Sequence, residues 1–212
     1  MKLYGYFRST ASYRVRIALH WKNLEFENLS VHLVNQGGEQ HLPAFQKLNP
    51  NELVPVFIDG ALVIRQSMAV LEYLEEKYPA NALLPRDHEG RAHVREMSQL
   101  IACDIHPLNN LRILQYIKGP LKQDDESKMA WYFHWLKKGF DALEQMVADG
   151  GFCHGDTLSH ADLCLIPQLY NAHRFNFPLE QYPKLLAIEK NCLALTAFQA
   201  ALPENQPDAP QC

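Results

Sequence analysis

Apolar and polar positions along this chain change period twice within the first eighty residues. Lys2 to Phe7 reads as a short strand, and Ser12 to Lys22 as a helix on which Val15, Leu19 and Trp21, with Ile17 and Ala18, can face a core. Asn28 to Val34 returns to alternation, turning Leu29, Val31 and Leu33 inward as a half-buried strand does. A loop at Gln36-Gly37-Gly38-Glu39-Gln40 leads to a short helix near Pro43 to Leu48, which Asn49-Pro50 should stop. Pro55-Val56-Phe57-Ile58 and Leu62-Val63-Ile64 flank Asp59-Gly60, a strong hairpin signal, and a helix follows from Ser67 to Tyr78. The order β-α-β-α-β-β-α joins a parallel crossover to a closing hairpin, so the sheet is mixed and covered by helices, the layout of a thioredoxin-like domain.

Past Tyr78 the strand signals stop. Pro79 to Asp87 carries two prolines and reads as an interdomain linker; long helical patterns run from about His88 to Lys118 and from about Asp124 to Ala148. Pro107 should kink or break the first of these. A third helix begins at Ser159, where Ser159-His160-Ala161-Asp162 forms a capping box with Asp162 in a structural role. A last helix near Pro183 to Ala201 precedes a polar tail, Pro203 to Cys212, expected to be loosely ordered unless it packs back. The expected domains are therefore residues 1–79, α/β and thioredoxin-like; a linker at 80–87; and an all-α domain at 88–212.

Composition narrows the partners. The chain has 212 residues, 47% of them hydrophobic, enough for a substantial core or two small ones. A net charge of −4 supplies no global basic field, which disfavours nucleic acid or an anionic membrane as the main partner while leaving room for a local cationic pocket. The start lacks a signal-peptide apolar region and no apolar run reaches membrane-spanning length, so the expectation is a cytosolic protein. Five cysteines, at 103, 153, 164, 192 and 212, are scattered without paired spacing; they suggest neither a disulfide framework nor a zinc site, and Cys103, Cys164 and Cys192 fall in apolar helical patterns where a free cysteine packs as a small hydrophobe.

The most informative stretch is Tyr6-Phe7-Arg8-Ser9-Thr10-Ala11-Ser12-Tyr13-Arg14, where a strand turns into a helix through a hydroxyl-rich corner. A helix N-terminus offers unpaired N–H groups and partial positive charge, so Ser9, Thr10 and Ser12 placed there can hold an anion or a thiolate. A plain N-cap role for Ser9 or Thr10 is the alternative. Similarly, Gln66-Ser67 precedes a helix, where a hydroxyl, helix amides and the Gln66 amide can grip a carboxylate, or merely cap.

Five strings, taken in order, resemble the zeta class of the glutathione transferase superfamily over nearly the whole chain. They are Arg8 to Leu19, Asn49 to Val56, Gln66-Ser67, Asp104 to Asn110, and Gly155-Asp156 through Ala161 to Gln168. The resemblance implies a glutathione-binding first domain, a helical domain lining a second-substrate pocket, and a homodimer. It implies a cis Val54-Pro55 bond with the Val54 main chain pairing to glutathione, Gln66 and Ser67 on its γ-glutamyl carboxylate, and Gln40 at its glycyl end, though a solvated loop glutamine would look the same. Arg14, His106, Asn110 and Arg112 join the implied glutathione set. Arg14 and Arg16 could equally be surface or interdomain ion partners, and Arg16 is left out of the site.

The implied chemistry is glutathione-dependent cis–trans isomerisation of a small anionic maleyl acid, leading with maleylacetoacetate in tyrosine and phenylalanine breakdown. The thiolate lies near Ser9 or Thr10, with Arg8 and Arg174 as anion clamps, and no metal is needed. Ala11 stands where many zeta members carry cysteine, so chemistry requiring a protein thiol there is not expected. Arg112, with His106 and Asn109-Asn110, makes a maleylpyruvate isomerase the nearest alternative. A broader transferase acting on α-halo acids and a non-catalytic binding module complete the readings.

Overall fold

The computed structural model describes residues 1–210; Gln211 and Cys212 lie outside the described residues. Strands β1 (Lys2–Gly5), β2 (Glu27–Ser30), β3 (Val56–Asp59) and β4 (Leu62–Ile64) form one sheet in the order β2-β1-β3-β4. β1 and β2 are parallel, and the β1–β3 and β3–β4 pairs are antiparallel, which is the mixed sheet that a crossover plus a hairpin requires. Gly60, at φ +60, supplies the left-handed turn residue of the hairpin. β1 and β2 are shorter than their sequence patterns: β1 ends at Gly5, and after a final Val31 N–H to Gly5 O bond β2 has no further partner.

Helix α1 (Thr10–Trp21) lies within the core of this unit, with Ser12 through Leu19 all buried. Val15, Ile17 and Leu19 are wholly excluded from solvent, a burial that stabilises by about 1.5–3 kcal/mol each. Its end is a Schellman turn: Asn23 takes φ +54, its N–H reaches His20 O, and Leu24 N–H reaches Leu19 O. α2 (Pro43–Leu48) and α3 (Ser67–Lys77) complete the β-α-β-α-β-β-α order. The thioredoxin-like reading of the first domain therefore holds.

The described residues divide into two compact units, one of Met1–Leu83 together with residues 193–210, the other of Leu84–Cys192. The last stretch thus groups with the sheet, whereas the sequence pattern assigned everything after residue 87 to the helical domain. Its anchor is α9 (Thr196–Ala201), which packs on α1. The single helix expected over 183–201 is two, α8 (Pro183–Leu193) and α9, separated by an extended Leu195 at the boundary between units. The start of the expected linker is held to the first unit by a buried ion pair: Lys22 Nζ lies 2.8 Å from Glu75 and also donates to the Tyr78, Ala80 and Asn81 carbonyls, while Glu75 accepts the Leu83 N–H.

In the helical unit, α4 (His88–Gln99) continues as a π-helix over Leu100–Ile105 before the chain breaks at His106-Pro107 and resumes as α5 (Leu111–Lys118). The run ends at the proline as expected: His106 still has helical backbone, but Pro107 has no N–H with which to continue the helical hydrogen bonds. The wide turn exposes Cys103, which the apolar pattern had placed inside; Cys164 and Cys192 are buried as free thiols. α6 (Asp125–Met146) approaches the π segment through Gly139, where a Cβ would overlap Ile105 Cδ1. α7 (His160–Arg174) begins with the expected box, Asp162 accepting from Ser159 N at 2.8 Å and from Cys153 N at 2.7 Å. No helix among the described residues is long and apolar enough to cross a membrane.

Candidate active site

The corner between β1 and α1 is built from backbone bonds that its own residues cannot make alone. Ser9 is the N-cap of α1: its Oγ accepts the Ser12 N–H at 3.2 Å, which leaves its own O–H to donate, and its side chain is only partly covered. Thr10 is 3% exposed, so its hydroxyl is turned into the protein. Ser12 is fully buried, its Oγ packed where a Cβ on Gly5 would sit at 3.1 Å, and it takes no part in an accessible site, contrary to the expectation from sequence. Arg8 Nη2 donates to the Tyr6 hydroxyl at 3.1 Å and its guanidinium lies 4.9 Å from the Phe7 ring centroid. Arg16 is not a surface ion partner: buried, it donates to Phe7 O at 2.9 Å, Ala201 O at 3.2 Å and Tyr6 O at 3.4 Å, tying α9 and the corner to α1.

Around this corner the same unit gathers the remaining first-domain candidates. The Val54–Pro55 peptide is cis, and the β1–β3 register begins at Val56, so Val54 lies outside the ladder. Asn49 shapes that approach by donating to Leu53 O at 2.6 Å. Gln66 precedes α3 but makes no side-chain cap bond and is exposed, and Ser67 is the first helical residue rather than the cap. The capping alternative for this pair is thus not what the structure contains. Ser67 Oγ instead accepts from the buried Arg14 guanidinium at 3.3 Å, which puts a cation, a hydroxyl and the amides of a helix start together, the composition of a carboxylate grip. Arg14 too is buried rather than on the surface.

Gln40 is not a solvated loop residue. It is 6% exposed; its Nε2 donates to Leu33 O at 3.3 Å and lies 3.0 Å from His41 Nε2, while its buried Oε1 receives no hydrogen bond. An orphaned buried carbonyl fits a polar ligand that supplies a donor.

The helical unit holds the other candidates in a group of its own. His106 closes the π-helix, its N–H bonded to Ile101 O at 2.9 Å, and is half-buried. Asn110 is the N-cap of α5, accepting from Arg112 N at 3.1 Å, and the Arg112 side chain is exposed on the first turn. Asn109, buried, donates to Tyr132 O at 3.0 Å; the Tyr132 ring lies 4.5 Å from that of Phe175; and the Arg174 guanidinium lies 4.5 Å from the Phe175 ring centroid, also donating to Asn171 Oδ1 at 3.2 Å. Burial pushes the Tyr132 phenol far above its ordinary value, Arg174 opposing this weakly. Arg174 is therefore an exposed, oriented cation at the end of α7, suited to a small anion. Asp208, which accepts the Phe7 N–H, was invisible to sequence reasoning because its partner is 201 residues away.

Comparison with known proteins agrees with this arrangement. A family model for the glutathione S-transferase N-terminal domain matches residues 3–82, and one for the C-terminal domain matches residues 136–188. A probable maleylacetoacetate isomerase of Vibrio cholerae is 52% identical across 98% of this chain and 97% of its own. The holo structure of a maleylpyruvate isomerase, described as a bacterial zeta-class glutathione S-transferase, superposes with a TM-score of 0.96 at 44% identity, covering 99% of this chain and 100% of its own. A maleylacetoacetate isomerase from Methylobacterium extorquens with bound malonate and glutathione gives 0.95 at 36% identity, with both chains covered in full.

Proposed function

This chain belongs to the glutathione S-transferase family, in its zeta class, and from that premise we propose that it isomerises maleylacetoacetate to fumarylacetoacetate with glutathione as cofactor. The observation that carries the reading is the pairing, within one unit, of a Ser9 hydroxyl available to donate at the start of α1 with the Arg14–Ser67–Gln66 grip at the start of α3. Such a pair suits a thiol that carries a carboxylate some distance along the same molecule.

When bound, glutathione supplies a thiolate whose addition to the cis double bond permits rotation before elimination restores it. The chain's own part is electrostatic. Ser9 donates to the sulfur, and the amides and dipole of the first turn of α1 favour negative charge there. Thr10, facing inward, serves the helix start rather than the sulfur. Gln66, Ser67 and Arg14 hold the γ-glutamyl carboxylate, Val54 offers its main chain, and the unmet Gln40 Oε1 takes a donor from the ligand. The carboxylate and enolate charge of the maleyl acid calls for cations, and Arg8 in the first unit and Arg174 in the helical unit are the residues assigned to it, while His106, Asn110 and Arg112 stay with the glutathione set. The malonate bound to the Methylobacterium relative, a small dicarboxylate, supports an anionic second ligand.

A second reading, maleylpyruvate isomerisation, is favoured by the 0.96 match to an enzyme of that name. Parallel assays of both maleyl acids with glutathione decide between them: the leading reading requires faster turnover of maleylacetoacetate, and turnover of neither removes both. A scaffold without activity would fail to bind immobilised glutathione. Cytoplasmic location, assembly as a homodimer and a place in tyrosine breakdown belong to the same proposal, and sedimentation together with the identity of neighbouring genes tests the last two.

A further inference from the structure

The segment that follows α9 returns to the sheet of its own unit. Pro203–Asn205 makes a single 3-10 turn, after which Gln206 Nε2 donates to Ala200 O and Leu202 O at 3.0 and 2.8 Å while its Oε1 accepts from Asn28 Nδ2 on β2 at 3.1 Å. Two residues on, Asp208 Oδ2 accepts the Phe7 N–H at 2.9 Å and the Ser30 hydroxyl at 3.1 Å. Ala209 packs against the cluster that contains Tyr6, Phe7 and Val31.

Phe7 is where the β1 ladder has already ended, since the β1–β2 register runs only through Gly5 and Ser30. It is 7% exposed, and a buried peptide N–H without a strand partner must be met by something else. Asp208 meets it with a carboxylate, a stronger acceptor than a peptide carbonyl. The carbonyl of the same residue is held by Arg16 Nη2 at 2.9 Å, and the Ser9 N–H hangs on Tyr6 O at 2.9 Å. Both polar groups of the Phe7 backbone, two residues before the hydroxyl that faces the ligand, are thus gripped by side chains: the guanidinium of Arg16 on α1 and the carboxyl of Asp208, 201 residues away.

We propose that Asp208 is a positioning residue for the isomerisation: by fixing the Phe7 peptide it sets the angle at which Ser9 and the opening amides of α1 meet the thiolate. The proposal rests on the function given above. It assigns the C-terminal segment a part in catalysis without contact with either ligand. A shift of the corner by a fraction of an ångström is enough to weaken a preorganised donor.

The test uses the full-length protein and three variants, Asp208→Ala, Asp208→Asn and Ser30→Ala. The measurements are steady-state kinetics with glutathione and maleylacetoacetate, and a pH titration of the ultraviolet absorbance of the bound thiolate. Asp208→Ala should lower kcat by roughly ten- to a hundredfold with little change in KM for the maleyl acid, and move the thiolate titration to higher pH. Asp208→Asn, which keeps an acceptor for the Phe7 N–H, should recover most of both, and Ser30→Ala should resemble wild type. Wild-type kcat and thiolate titration in Asp208→Ala overturn the inference, as does equal loss in the alanine and asparagine variants accompanied by a lowered Tm. Wild-type protein that forms no bound thiolate overturns the proposed function itself, and the positioning role with it; a working wild type beside an unaffected Asp208→Ala overturns the positioning role alone.

Discussion

Ser9 uses one oxygen twice, accepting from the Ser12 N–H to start α1 and keeping a hydrogen to donate. Removing it therefore has two separable effects. Ser9→Ala should cut kcat by roughly a hundredfold, the scale of losing one preorganised donor, while glutathione affinity changes far less. It should also cost about 1 kcal/mol of stability through the lost cap, read by denaturant unfolding. Adding Thr10→Ala should deepen the kinetic defect little, because that hydroxyl is buried; unchanged turnover in the double variant would refute the role of the corner. Arg174→Ala should raise KM for the maleyl acid or lower turnover with glutathione affinity intact, and loss of glutathione affinity instead would reassign Arg174. Ser9, Gln66 and Ser67 were legible in the sequence because helix starts announce themselves in a few adjacent residues. Arg16 and Asp208 were not, because their partners are backbone groups, and the bonds Arg16–Ala201 and Asp208–Phe7 span 185 and 201 residues. No local pattern records which carbonyl a buried guanidinium will find.

Elements were legible where a local rule dictates them. Asp59-Gly60 fixed the hairpin, Asn49-Pro50 the end of α2, and Ser159 with Asp162 the start of α7. The π-helix at Leu100–Ile105 had no such signal, since its apolar residues read as ordinary helix; nor did its close contact with α6, which approaches Ile105 through Gly139. Helix propensity alone says that Gly139→Ala should stabilise an α-helix by up to about 1 kcal/mol. The overlap with Ile105 reverses the sign. The expected outcome is destabilisation by about 1–3 kcal/mol in chemical unfolding, with the Gly139→Ala/Ile105→Ala pair less destabilised than the sum of the two single changes, and a stabilised Gly139→Ala would contradict the close approach.

For the whole molecule, Asp59 is one of several carboxylates that contribute to acid tolerance. The Asp59 carboxylate is shared by Lys77 Nζ at 2.8 Å, Tyr73 Oη at 2.8 Å and Tyr78 Oη at 3.0 Å, and the Lys77 ammonium foremost among them holds it down at about 2. Because this lies below the ordinary carboxylate value of about 4, the pairing stabilises the fold above that pH and is lost as pH falls toward about 2. Asp59→Asn should lower Tm at neutral pH and flatten the acid limb of a Tm-against-pH curve across that window; an unchanged limb would show that other carboxylates carry it. The division into an α/β unit and a helical unit was legible from the change of hydrophobic period, but the return of α9 to the first unit was not, because the apolar pattern runs on across Leu195.

That return alters how the protein is made. A ribosome releases residues 84–192 as an unbroken stretch, so the helical unit has all its parts while synthesis is still under way. The α/β unit, although its strands are translated first, stays without the helix that covers α1 and without the carboxylate that anchors Phe7 until residues 193–208 have followed. The corner at Ser9 is thus completed only after the whole helical unit has been translated, and a product terminated before residue 196 would carry Arg14, Gln66 and Ser67 yet lack the segment that holds Phe7.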